Sequence, residues 1–63
     1  MYKVGTVYRG DTNLGEVLLT ITRVTKTGID FIEDYEGGSR VVGKMQNAAF
    51  ENWCWRNEAT VVE

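Results

Sequence analysis

A chain of 63 residues with 43% hydrophobic and 25% charged side chains has room for a single globular domain, 1–63, and lies outside the poorly hydrophobic, highly charged range of disordered chains. Seven Lys and Arg against nine Asp and Glu leave a net charge of −2, which supplies no positive field for general nucleic-acid binding and is too small and too mixed for a DNA mimic. One cysteine closes no internal disulfide, and no segment has the apolar run of about 7–15 residues of a signal peptide or the length of a membrane span, so the expectation is a cytoplasmic protein, a host cytoplasm included.

Residues 2–9, rich in Val, Thr and Tyr, predict a first strand, and the turn residues of 10–15 predict a loop after it. Residues 16–25, EVLLTITRVT, carry the strongest strand pattern, with Val17, Leu19 and Ile21 on one face. Val24 has the opposite parity, so a bulge or bend at Thr22 or Arg23 is needed to return it to the core. KTG, with Gly28 at a position able to take positive φ, leads into IDFIEDY. There Ile29, Phe31 and Tyr35 share one face, while Asp30, Ile32 and Asp34 share the other. EGGS has the Gly-Gly pair of a primed hairpin turn and connects to RVVGKM, the fourth strand of a meander.

From Gln46 the period lengthens: Met45, Ala49, Phe50 and Trp53 fall on one side of a helix, capped by Gln46 or by Asn47. Asn57 can end that helix in a left-handed conformation, and the β-prone ATVV predicts a fifth strand paired with the first. The fold class is therefore α+β, mostly β: a small five-stranded antiparallel SH3-like barrel or curled sheet with one short helix before the last strand. An open four-stranded sheet with a helix across it is the alternative.

The chain contains no histidine, which removes the commonest general base, the commonest metal ligand and every His-dependent nucleophile. Cys54, near a helix C-terminus and beside Phe50 and Trp53 on the helical wheel, reads as a small apolar residue. No glycine pattern cradles a phosphate, RGD at Arg9 to Asp11 reads as turn chemistry, and DTNLGE lacks the remaining ligands of a calcium loop. No catalytic residue, cofactor or metal is expected. Asp30, Glu33, Asp34 and Glu36 form an acidic set, Asp30 and Asp34 on one face of the strand with Glu33 pointing away from them, suited to a solvated outer face or to a basic partner surface.

Trp55 lies off the buried stripe. If the helix reaches Arg56, Trp55 is at least partly exposed beside an arginine, the composition of an interaction hot spot; if it stops near Trp53, Trp55 folds back over the open end of the barrel. The run ITRVTKTGIDFIEDYEGGSRVVGKMQNAAFENW, with its Phe-x-x-Trp pair at Phe50 and Trp53, resembles the small accessory proteins encoded by bacteriophages and other mobile elements. The resemblance implies a compact partner-binding protein and assigns no functional residue.

The leading expectation is a non-enzymatic protein-interaction module that modulates or inhibits a host protein through Trp55, Arg56, Asp30, Asp34 and Glu36. A second is a small nucleic-acid-binding barrel using Tyr2, Lys3, Tyr8, Arg9 and Lys44 for stacking and phosphate contacts. A third is a structural homo-oligomer in which an edge strand or Trp55 buries against its copy.

Overall fold

The computed structural model describes residues 2–62. The β-rich segments form β1 (Val7–Thr12), β2 (Gly15–Val24), β3 (Gly28–Tyr35) and β4 (Arg40–Gln46), followed by helix α1 (Asn47–Arg56) and β5 (Thr60–Val61). All neighbouring strands are antiparallel, and their order β4-β3-β2-β1-β5 gives one sheet with two free edges. The expected five strands and pre-terminal helix are thus present, but the sheet stays open and does not close into a barrel.

The alternation along β2 decides which face is covered. Val17, Leu19 and Ile21 are fully buried, and with Ile29, Phe31, Phe50 and Trp53 they make the core between the sheet and α1. The bulge expected from the parity of Val24 is real: Ile21 pairs with Phe31 and Arg23 with Asp30, which leaves Thr22 without a partner. Val24 then pairs with Ile29 and packs against the core. One extra residue has shifted the alternation by one step, as a bulge must.

The first hairpin differs from the expectation. β1 starts at Val7 and runs on through Thr12, so Arg9, Gly10 and Asp11 are strand residues paired with Leu18, Val17 and Glu16, and the turn is confined to Asn13 and Leu14. The Thr12 side chain fixes that turn, its hydroxyl donating to the Gly15 carbonyl at 2.9 Å and accepting from Leu14 N–H at 3.1 Å. Gly15, at φ 102°, supplies the left-handed residue.

Two other glycines act differently from their expected roles. Gly28 is not among the positive-φ residues. A side chain there would run into the Met45 carbonyl and lie 2.9 Å from Gln46 Cα, so glycine serves close strand approach instead. At the β3–β4 turn only Gly38, at φ 93°, is left-handed, and Gly38 N–H donates to the Tyr35 carbonyl at 2.9 Å. A turn followed by one left-handed residue replaces the primed Gly-Gly turn.

Gln46 is the N-cap residue of α1 and makes no side-chain capping bond; Asn47 N–H donates to the Thr27 carbonyl at 2.9 Å. At the other end Asn57 keeps φ −101°, and the left-handed residue is Glu58, at φ 51°. Ala59 N–H donates to the Cys54 carbonyl at 2.9 Å and Glu58 N–H to the Trp55 carbonyl at 3.3 Å. These are the two bonds of a Schellman cap, with glutamate where glycine is usual. The left-handed conformation costs a residue with a Cβ roughly 1–2 kcal/mol, part of which the greater unfolded-state freedom of glycine takes back. Glu58→Gly is therefore expected to raise stability by about 0.5–1 kcal/mol, read as a higher midpoint in denaturant unfolding.

Candidate functional site

The geometry of α1 starts with a chain too short to hold a helix by itself. Ten residues are marginal in water, so the helix depends on what its inner side touches. Phe50 is fully buried, with the Tyr2 and Tyr8 rings edge-on at centroid distances of 5.0 and 5.2 Å and Trp53 stacked at 6.0 Å. Both edge-on contacts lie within the favourable range for aromatic pairs. Ala49, expected on this stripe, is exposed: Phe50 and Trp53 are the only buried residues of the helix.

Trp53 reaches across the sheet. A Cβ on Gly10 would lie 3.2 Å from Trp53 Cη2 and 3.1 Å from Asn57 Cβ, so the indole occupies the space left by the missing side chain. Its Nε1–H donates to Glu33 Oε2 at 3.0 Å. Glu33 is only 7% exposed, on the core face between Phe31 and Tyr35. The reading of Glu33 as part of a solvated acidic set is thereby corrected: it is the polar partner that lets an indole be buried. The bond offsets the desolvation of both groups.

The remaining acidic residues sit elsewhere. Asp30 and Asp34 are on the outer face of β3, opposite Lys44 and Arg40 of β4, and Asp34 accepts a 2.7 Å ion-paired bond from Arg40 Nε. Glu36 lies in the β3–β4 turn, where its Oε1 accepts from Glu16 N–H at 3.0 Å. α1 covers the core face, so the surface carrying Trp55 and Arg56 and the surface carrying Asp30 and Asp34 are on opposite sides of the sheet. They do not form one contact patch.

The residues of the nucleic-acid alternative are also dispersed. Tyr2 and Tyr8 spend their rings on Phe50, while Arg9, on the outer face, pairs with Glu16 at 3.5 Å. Lys44 faces Asp30 across the strands, and Lys3 is exposed in the segment before β1. No stacking platform beside a basic row results.

α1 continues through Arg56, which decides the question left open by the sequence: Trp55 points away from the core and is 80% exposed, with Arg56 exposed beside it. Cys54 is partly buried against the core, and its thiol is pushed up from the ordinary value by burial and then by the charge of Glu51. That shift favours the unreactive neutral form. Burial likewise raises the hydroxyls of Tyr2, Tyr8 and Tyr35, the last also through the Glu33 charge. Among the described residues no group of three or more Cys, Asp or Glu is gathered to hold a metal. No helix among them is long and apolar enough to cross a membrane.

The groove beside Glu33, lined also by Tyr35, Asp11, Arg56 and Asn57, shows which residue the sequence pattern hid. The signal was available: Glu33 shares the parity of Ile29 and Phe31, and parity outweighs residue type when a donor is in reach. Glu33→Ala leaves the buried indole N–H without an acceptor and is expected to cost about 2 kcal/mol, whereas Glu33→Gln keeps an acceptor and costs less than about 1 kcal/mol in the same denaturant titration. Comparison with protein-family models, curated proteins and solved structures finds no match for this chain.

Proposed function

We propose that the protein is a non-enzymatic interaction module that binds a protein partner through Trp55 and Arg56 on the outward side of α1. One observation carries this reading: a helix that buries one tryptophan with a dedicated hydrogen bond leaves the other, two residues on, 80% exposed. Single exposed aliphatic residues are ordinary on a protein surface. An indole is different, because it offers a large, rigid contact area with a hydrogen-bonding tip, and Trp and Arg are among the residue types most enriched where binding energy concentrates.

Trp55 is also uncommitted. It is absent from the core and from the residues packed against it, so the fold gains little by keeping an indole there. The resemblance of the sequence to phage and mobile-element accessory proteins suggests a host cytoplasmic protein as the partner, which this module would modulate or inhibit. Asp30 and Asp34, on the far face, and Glu36, in the turn, are left to a separate contact.

The test is recovery of partners by the tagged protein from its native cytoplasm, with nuclease treatment in parallel. Trp55→Ala is expected to change folding stability by less than about 0.5 kcal/mol while lowering partner affinity about 30-fold or more, the loss of a hot-spot residue. Recovery of the same partner at undiminished affinity by the variant would overturn the assignment, and loss of all partners on nuclease treatment would turn it toward nucleic acid.

A further inference from the structure

Glu33 is a carboxylate where the fold asks only for an acceptor. Its Oε2 accepts the Trp53 indole N–H at 3.0 Å, a bond that the uncharged amide of a glutamine could also accept. The Tyr35 hydroxyl stands alongside, raised by burial first and then by the charge and hydrogen bonding of Glu33. A carboxylate has about four acceptor positions, so these two neighbours leave capacity unused. The ion pairs among the described residues are Arg9–Glu16 and Arg40–Asp34, which leaves Glu33 without a cation. What a charge adds at an almost fully buried position, beyond what glutamine offers, is attraction for a cation.

The way in is the groove between the β1–β2 turn and the end of α1, about 610 Å³ in volume and of the size of small-ligand sites. The 7% of Glu33 that stays exposed forms part of its wall. Trp53 and Tyr35 line it too, Leu14 stands at its mouth 78% exposed, and Arg56 remains exposed at its rim without pairing to Glu33. Apolar and aromatic walls leading to one anion suit a cation carried on an alkyl stem. With Oε2 held by the indole and Tyr35 alongside, Glu33 lacks the two clear oxygens that a guanidinium fork uses. An ammonium is a compact point charge and needs only one.

We propose that this groove is a site for a primary ammonium group on an alkyl chain, the lysine side chain of a protein partner, with Glu33 as its anion. That a partner protein carries the lysine rests on the interaction reading above. The ammonium site itself does not, since it takes no contact from Trp55.

The probe is Nα-acetyl-lysine methylamide, titrated into the whole chain at fixed ionic strength while the two indole Nε1–H resonances are followed by NMR. The Trp53 signal is expected to shift and saturate with a Kd of about 1 mM, while the Trp55 signal stays in place. The same probe acetylated at Nε, neutral and no shorter, produces no shift, and the arginine analogue binds more weakly than the lysine one. Glu33→Gln keeps the acceptor for the indole and weakens lysine binding about tenfold or more, whereas Trp55→Ala leaves it unchanged. An unmoved Trp53 signal, an equal response to the Nε-acetylated probe, tighter binding of the arginine analogue, or undiminished binding by a folded Glu33→Gln variant would each overturn the proposal. The acetylated probe decides on the wild type alone if Glu33→Gln does not fold. Failure of the probe leaves the Trp55 assignment standing, and a bound probe with partner recovery undiminished in Trp55→Ala overturns that assignment only.

Discussion

The burial of Trp53 over the sheet is the contact on which the rest of the molecule depends. It sets two conditions: the indole N–H must find an acceptor, which Glu33 supplies at 3.0 Å, and the ring must have room, which the missing side chain of Gly10 supplies. Together they fix how α1 crosses the sheet. Without that anchorage a ten-residue helix with no side-chain cap bond has little reason to persist. Once it is in place, the Schellman turn at Glu58 brings the chain back so that Thr60 and Val61 can pair with β1.

The same anchorage fixes what is left outside. With Trp53 turned inward, the helical repeat turns Trp55 outward, and the side chain that cannot serve the core becomes the largest exposed apolar surface on the helix. The sheet likewise has one face covered by α1 and the other open to solvent, where Asp34 of β3 pairs with Arg40 of β4 and Asp30 lies opposite Lys44. The outward side of α1 and the outer sheet face are therefore separate surfaces. Trp55 and Asp30 thus lie on different sides of the sheet.

Much of the architecture was legible in the residues. Val17, Leu19 and Ile21 announced the buried face of β2, the parity of Val24 located the bulge to within one residue, and the Phe50–Trp53 spacing identified the helix and its inner side. The rest was hidden where tertiary contacts override local chemistry. Gly10 looked like a turn residue because glycine before aspartate usually is one, yet it serves an indole arriving from more than forty positions away in the chain. Gly28 likewise answers to the Met45 carbonyl rather than to its own φ. Glu33 looked like a surface acid because three other acids surround it in sequence, and only the position of Trp53 in space reveals its partner. Glu58 took the left-handed role from Asn57 because Schellman bonding requires it one residue later.

The two tryptophans have opposite environments, and their indole N–H groups report this directly. Hydrogen exchange of the two Nε1–H resonances, assigned with Trp55→Phe, is the measurement. The Trp53 N–H, held by Glu33 in the core, is expected to exchange only as the protein unfolds, while that of Trp55 is gone from the first spectrum. Fast exchange of both, or a protected resonance that disappears in Trp55→Phe, would contradict it.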